Sequence, residues 1–340
     1  MESKCTQTLL LQTQRRKHLF VFFGTLVSFS DFRRRLGTRT IWLRHCISLP
    51  VLISVVFCIQ VRAEEISFEG GKVEVQFDGP LAQAEKPVAT RWIQNAGRAV
   101  ANYYGKFPVS RPVLRIALGD GTKARGGHAS GWNGPRVQIS LGRSATDETL
   151  ADDWVLTHEM LHLCFPSLEE QHHWLEEGMA TYCEPVARAR VGNLTAERVW
   201  GDMVEGMPQG EPQSGDRGLD YTHTWGRTYW GGALFCLQAD VEIRRRTNNR
   251  YGFEHALRAI AAAGGTIERD WEIDRVIAVG DEAVGVPVLR ELYDQMKTTP
   301  VTVDLNALWK RLGVSRTAGK VSFRDDAPLA SIRKAITEGR

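Results

Sequence analysis

The sequence is poor in cysteine and contains no cysteine pair with the spacing of a metal site. Six cysteines occur in 340 residues, and none forms a C-x-x-C pair, which argues against a cysteine-based zinc site. Three of them lie within the first 58 residues. Cys164, Cys183 and Cys236 remain, in apolar segments, and are predicted to be buried thiols, with a Cys164–Cys183 disulfide as the alternative.

Outside the N-terminal segment the chain also lacks an excess of positive charge. Residues 1–63 contain ten basic and two acidic residues, whereas the remainder contains 33 basic and 38 acidic residues. The net charge of +3 for the whole chain therefore comes from its beginning. A mildly acidic body indicates that nucleic acid is not a partner.

The apolar run nearest to this body, "CISLPVLISVVFCIQ" (46–60), is short for a bilayer span. Basic residues precede it, and "VRA" followed by "EE" comes after it, which is the pattern of a signal peptide. We predict that residues 1–63 are a leader cleaved after Ala63, and that the protein is exported to the periplasm or the exterior. An uncleaved leader acting as a membrane anchor is the alternative.

The sequence has no internal repeat and no low-complexity tract, so the body is expected to form one large domain or two closely packed lobes. Alternating apolar residues predict strands at 66–78, 112–118 and 136–142, with a glycine-rich loop at 119–135. Apolar residues at helical spacing, together with flanking start and stop signals, predict the helices 82–105, 147–164, 167–185, 195–207, 226–249, 252–264, 286–297 and 304–312. This order predicts an α+β protein, with a small sheet-bearing lobe at 64–190 and a mainly helical lobe at 191–340.

The segment "VLTHEMLHLCFP" (155–166) contains two histidines four residues apart on a predicted helix. His158 and His162 would leave the same helix face one turn apart, where two neutral imidazoles can bind one tetrahedral zinc ion. Glu159 would lie near the open coordination position and could take a proton from a water activated by the metal. Cys164 falls on another face of the helix and is predicted to be core.

A catalytic zinc needs a third protein ligand and an open fourth position, and "HHWLEEGMATY" (172–182) offers that ligand. This stretch resembles the gluzincins, zinc peptidases with a thermolysin-like core whose second helix reads W-L-x-E-G-x-A and gives its glutamate to the metal. The resemblance implies Glu177 as the third ligand, with Glu176 as the weaker candidate. His172 and His173 are predicted to be exposed rather than ligands. Glu184 is a candidate hydrogen-bond partner of the ligating histidines.

A third motif begins at "TWGRTYWGGALFCLQADVEIRRRT" (224–247). It is similar to the Y-x-x-G-A-L helix of these families, and the following "ADVEIRRRT" resembles the glycyl aminopeptidase branch in particular, which is related to the membrane alanyl aminopeptidases. The resemblance implies that the hydroxyl of Tyr229 faces the tetrahedral intermediate of peptide hydrolysis. His223 and Arg227 are further candidates for holding a substrate carbonyl or carboxylate.

The resemblance departs from the aminopeptidases at "RGGHASGW" (125–132). Those enzymes carry a G-x-x-E motif there, whose glutamate grips the free α-amine of the substrate, whereas this chain has glycines and His128 but no acid. The sequence therefore predicts cleavage of peptides, but it does not predict that the protein recognises the free N-terminus of its substrate.

Together these residues predict an exported zinc metallopeptidase that binds one zinc ion per chain through His158, His162 and Glu177 and acts on peptides or proteins. Glu159 is the predicted general base, and Tyr229 the predicted oxyanion donor. The helices that bind zinc belong to the 64–190 lobe, and the 191–340 lobe completes the site. Two alternatives stay open: a zincin-fold binding module without turnover, and a zinc hydrolase that acts on a non-peptide bond.

Overall fold

The computed structural model describes residues 63–339 of the chain, so that residues 1–62 of the predicted leader lie outside the described part. Within the described residues, no helix combines the length and the apolar character that crossing a bilayer requires. Seven strands form in this part of the chain: β1 (Glu64–Phe68), β2 (Gly71–Phe77), β3 (Val113–Gly119), β4 (Ala124–Ser130), β5 (Arg136–Gly142), β6 (Val314–Thr317) and β7 (Lys320–Phe323).

The first five strands form one mixed sheet in the order β1-β2-β3-β5-β4. β1 and β2 are an antiparallel hairpin, β2, β3 and β5 run parallel to one another, and β4 returns antiparallel to β5. Gly70 turns the hairpin in the left-handed region, with φ 85°. β4 is therefore an edge strand, and it contacts the helix that carries the histidine pair.

The prediction that residues 119–135 are entirely loop is wrong, because β4 lies within this range. The register of β4 against β5 shifts between Arg125 and His128, which is a bulge, and Gly126 there has a φ of 63°. Glycine normally weakens a strand, but a bulge uses a residue of positive φ to bend the chain. The glycines that favoured a loop in the sequence therefore shape a bulged strand.

Eleven helices form in the described residues, and together with the sheet they confirm the predicted α+β fold class. Their bounds are α1 (Glu85–Tyr104), α2 (Asp147–Ala151), α3 (Val155–Leu163), α4 (His173–Arg190), α5 (Ala196–Gly206), α6 (Gly232–Arg246), α7 (Phe253–Ala262), α8 (Ile273–Val284), α9 (Val288–Met296), α10 (Leu305–Leu312) and α11 (Ala330–Glu338). α8 and β6 are not among the sequence predictions, whereas β7 and α11 correspond to the final strand and helix that the sequence predicts for the tail (321–340). The predicted division at residue 190 stays a prediction.

The predicted helix 147–164 is two helices, α2 and α3, rather than one. Asp153 lies between them, and its carboxylate accepts hydrogen bonds from the backbone N–H groups of Val155 at 3.3 Å and Leu156 at 3.4 Å. An aspartate that satisfies the free N–H groups of a first turn starts a helix. The histidine helix therefore begins only at Val155.

The predicted helix 167–185 is also displaced. Ser167 makes no capping box, since its backbone pairs with Asp270, and a short 3₁₀ turn at Glu170–His172 precedes α4. α4 then continues through Pro185 to Arg190. Proline inside a helix removes one hydrogen bond, and the buried residues that follow it continue the helix by packing in the core.

Helices α4 and α6 cross with their backbones in close approach at Gly178 and Gly232. A Cβ atom placed on Gly178 would lie 2.2 Å from the carbonyl carbon of Gly232. Because backbone atoms cannot rotate away, only glycine fits at the crossing. This crossing brings the third predicted motif next to the second.

We therefore expect Gly178→Ala to destabilise the protein by about 3 kcal/mol or more, since overpacking against backbone forces two helices apart. Denaturant unfolding of residues 64–340 measures the change. Gly119→Ala is the matched control, because a Cβ there meets no atom within 4 Å, and it should change the free energy of unfolding by less than about 0.5 kcal/mol. A loss below about 1 kcal/mol for Gly178→Ala would contradict the close crossing.

Candidate active site

The structure brings His158, His162 and Glu177 together from two helices. Their ligand atoms all lie within 4.8 Å of one another. The Nε2 atoms of the two histidines are 3.2 Å apart, and Glu177 Oε2 lies 3.1 Å from His158 Nε2 and 3.4 Å from His162 Nε2. In the part of the chain that the structure describes, this is the one such group of three or more histidine, cysteine or acidic side chains.

The positions of the three side chains follow from the two helices. On α3, His158 and His162 are one turn apart and face the same direction, with Leu156, Met160 and Leu161 buried on the other side. Glu177 lies on α4, which packs against α3. All three side chains are at least seven-eighths buried.

The charges of this group are strongly coupled. Although burial opposes it, the two histidines and His173 hold the pKa of Glu177 far below its usual range. Burial lowers the pKa of His158, whereas the Glu177 carboxylate overcomes the effect of burial and raises the pKa of His162 to about 9. The carboxylate of Glu177 thus interacts electrostatically with both buried imidazoles.

The donor set fits a divalent metal ion, and zinc in particular. Two imidazole nitrogens and one carboxylate oxygen that converge in a buried position are the ligands of catalytic zinc sites with an open fourth position. His158, His162 and Glu177 are the residues that could hold the ion. Glu176 does not join them, because its carboxylate accepts a hydrogen bond from the backbone N–H of Leu168 at 2.8 Å.

Glu159 lies beside this group and against β4. A Cβ on Gly127 would lie 2.5 Å from Glu159 Cγ, so only glycine in β4 leaves room for the carboxylate. The backbone N–H of Ala129 donates to that carboxylate. Burial raises the pKa of Glu159, with the histidine and the carboxylate around it acting in opposite directions. A largely buried carboxylate with a raised pKa, held by one backbone donor, can accept and release a proton.

Tyr229 comes to the same site from a π-helical turn, Gly226–Gly231, that precedes α6. Its ring stacks on His158, with centroids 6.4 Å apart and planes inclined by 22°. Burial raises the pKa of Tyr229, and the carboxylates of Glu177 and Glu159 and a hydrogen bond to Glu177 raise it further. The hydroxyl therefore stays protonated and able to donate. π-helical turns occur often at functional sites.

The prediction that His172 is exposed is wrong, and so is the prediction that His173, whose side chain is 43% exposed, lies away from the metal position. His172 is buried, and its Nδ1 lies 3.0 Å from Asp220 Oδ1, which also accepts from Trp174 Nε1 at 2.8 Å. His173 Nε2 lies 3.3 Å from Glu177 Oε1. The four-residue spacing from His173 to Glu177 was the available signal, since such side chains meet on a helix.

Other sequence candidates lie outside the group. Glu184 is buried and pairs with Arg188 at 2.7 Å rather than with the histidines, and burial raises its pKa to about 7. Arg227 is buried against Asp216 at 2.8 Å. Cys164, Cys183 and Cys236 are free, buried thiols, so the predicted alternative of a Cys164–Cys183 disulfide does not form in this structure.

Comparison with known proteins finds likeness at the level of structure only. No model of a known protein family matches the sequence, and no curated protein matches it. An aminopeptidase N family protein from Idiomarina loihiensis matches the structure with a TM-score of 0.56 and 15% identity, over 74% of this chain and 49% of that one. The chain therefore shares the fold of this aminopeptidase N family structure. The predicted gluzincin-type architecture is thereby confirmed, at an identity that shows the fold alone.

Further matches to the zinc metallopeptidases are more distant. An M1 zinc metallopeptidase from Deinococcus radiodurans has a TM-score of 0.47 and 15% identity, over 72% of this chain and 52% of that one. The chain spans about half the length of each of these two proteins. In this chain, α3 and α4 carry the three converging side chains and the π-helical turn carries Tyr229.

Proposed function

We propose that the protein is a zinc-dependent metallopeptidase. The observation that carries this proposal is the convergence of His158, His162 and Glu177, whose ligand atoms lie within 4.8 Å of one another. Glu159, on the side of α3 that faces β4, and Tyr229, on the π-helical turn, lie beside the same group. A metal-ligand set, a carboxylate base and an oxyanion donor are the parts that hydrolysis of an acyl bond needs.

His158, His162 and Glu177 would hold the zinc ion. When bound there, zinc acts as a Lewis acid that activates water and polarises the carbonyl of the scissile bond. The fit rests on the two imidazoles and the single carboxylate that lie buried and face one another.

Glu159 is the proposed general base. Its carboxylate would take the proton of the attacking water and then deliver it to the nitrogen of the leaving amine. Gly127 leaves the space, and the Ala129 N–H fixes one end of the carboxylate. These two β4 positions explain why a glycine-rich strand lies against the catalytic helix.

Tyr229 is the proposed donor to the oxyanion. Its raised pKa keeps the hydroxyl protonated, and the hydrogen bond of that hydroxyl with Glu177 supports a position beside the proposed metal ligands. A neutral donor positioned where negative charge develops lowers the barrier without reorganisation.

The edge strand β4 is the proposed binding place for an extended peptide. β4 pairs with β5 on one side only, so its other edge offers backbone donors and acceptors to a substrate strand. His128 is exposed in this strand, and no acid accompanies it at 125–132. We therefore propose that the protein cleaves peptides without a β4 carboxylate that binds the free α-amine of the substrate.

We also propose that the protein is exported, because residues 1–63 have the pattern of a signal peptide. The described sheet begins with β1 at Glu64, so that cleavage after Ala63 would leave every described strand intact. N-terminal sequencing of the secreted protein should find Glu64 first, and retention of the apolar run would instead support a membrane anchor.

Incubation of residues 64–340 with a mixture of unblocked peptides tests the proposed activity. We expect cleavage that a chelator abolishes and stoichiometric zinc restores. Zinc binding without any cleavage would contradict the peptidase proposal and favour a binding module or a hydrolase of another bond.

His173 is expected to tune the metal site through Glu177. Because Glu177 Oε1 faces His173 while Oε2 faces the two ligands, His173→Ala should weaken zinc affinity by roughly 10- to 100-fold. Competition with a fluorescent chelator measures this, and His173→Gln, which keeps a donor, should recover part of the affinity. Equal affinities for His173→Ala and the exposed control His223→Ala would contradict this role.

A further inference from the structure

Two tryptophan side chains beside the proposed site are exposed to an unusual extent. Trp154 is 52% and Trp225 is 55% exposed, although most large apolar side chains of the described chain are buried. Each indole contacts one member of the site on one side and solvent on the other. Exposed aromatic surface next to a reaction centre is typical of ligand binding.

The two indoles lie at the ends of a row of four rings. Trp154 meets His158 edge-to-face with centroids 5.4 Å apart, and His158 stacks on Tyr229. Trp225 then stacks on Tyr229 at 5.8 Å and 27°. The row therefore has a tryptophan at each end and the proposed catalytic groups between them.

Both indoles are held by rigid backbone. Trp154 follows Asp153, which caps α3. Trp225 precedes Gly226, where a Cβ would lie 2.4 Å from the carbonyl oxygen of Gln209. The backbone next to Trp225 is therefore closely packed against the backbone at Gln209. A fixed ring loses little entropy when a ligand covers it.

A packing role against His158 or Tyr229 does not by itself explain why the two indoles are exposed. A tryptophan with only that role would be more stable if its whole ring were buried. His158 and Tyr229 lie between the two exposed rings, so a scissile bond held at these groups would have one indole towards each of its ends. The groups that would cover the two indoles are the side chains on either side of that bond, and a flat apolar ring favours aromatic or large aliphatic side chains.

We propose that Trp154 and Trp225 each form an apolar subsite, one on either side of the cleaved peptide bond, and that each subsite binds a bulky aromatic or aliphatic side chain of the substrate. This inference rests on the proposed peptidase function. The two tryptophans are specificity-determining residues, and each acts on the side chain at its own end of the row.

The test uses matched unblocked peptides that differ only by Phe, Leu or Ala at each position flanking the cleaved bond. The wild-type protein, residues 64–340, should cleave the Phe or Leu peptides with a kcat/KM at least roughly tenfold above that of the Ala peptides. Trp154→Ala and Trp225→Ala should each reduce this ratio towards one at one flanking position. Trp154→Phe and Trp225→Phe should keep most of it, and the zinc content of every variant should equal that of the wild type.

Trp132→Ala is the matched control. Trp132 is 80% exposed in the turn between β4 and β5, and its ring stacks on none of the described aromatic side chains. This variant should keep the wild-type ratio. Cleavage of Ala and Phe peptides at equal rates by the wild type, or a ratio unchanged in both Ala variants, would overturn the subsites. If no peptide is cleaved at all, the peptidase proposal itself fails, and the subsites fail with it.

Discussion

Replacement of Glu159 by glutamine is expected to lower kcat by roughly 10²- to 10⁴-fold while the protein still binds one zinc ion per chain. Glutamine keeps the shape of the side chain in the space beside Gly127 and still accepts from the Ala129 N–H. It cannot take up a proton from water, so only the proton transfer is lost. Single-turnover kinetics on a peptide that the wild type cleaves, with zinc measured in the same sample, would show this.

Glu148→Gln is the control for removing a carboxylate. Glu148 is exposed in the first turn of α2, and its replacement should leave kcat within about twofold, as expected for a surface change. Activity of Glu159→Gln close to that of the control would show that another group is the base.

Replacement of Tyr229 by phenylalanine is expected to reduce kcat by roughly 10²- to 10³-fold, with little change in KM, because the hydroxyl acts only when the oxyanion forms. The phenyl ring can still stack on His158 and on Trp225, so the site should keep its shape. Zinc affinity should stay within a few-fold of the wild-type value.

Tyr251→Phe provides the comparison for Tyr229→Phe. Tyr251 packs edge-to-face on His255 near the start of α7, away from the ligand group. Its kcat should equal that of the wild type. A Tyr229→Phe enzyme with less than about threefold loss would place the oxyanion donor elsewhere.

The parts of the site that could be predicted from sequence are those set by local helical spacing or by a motif. His158 and His162 converge because four residues are about one turn, and no tertiary information is needed to see this. Glu177 required a resemblance, since the sequence alone does not tell which acid on α4 turns towards the histidines. The structure distinguishes it from Glu176, which caps the backbone at Leu168.

The features that escaped prediction depend on tertiary contacts. A glycine-rich stretch reads as loop, but the pairing of β4 with β5 and the close approach of Glu159 to Gly127 make it an edge strand. The break before α3 depends on one capping carboxylate, Asp153. The contact of His173 with Glu177 is the exception, because it follows from the four-residue spacing on α4 alone.

The zinc content of purified residues 64–340 tests the central claim most directly. After removal of loosely bound metal, the account predicts about one zinc per chain in the wild type and in Glu159→Gln. It predicts almost none in His162→Ala, because two ligands remain where three are needed. Wild-type protein without stoichiometric zinc, or a His162→Ala variant that keeps its zinc, would contradict the proposed metal site.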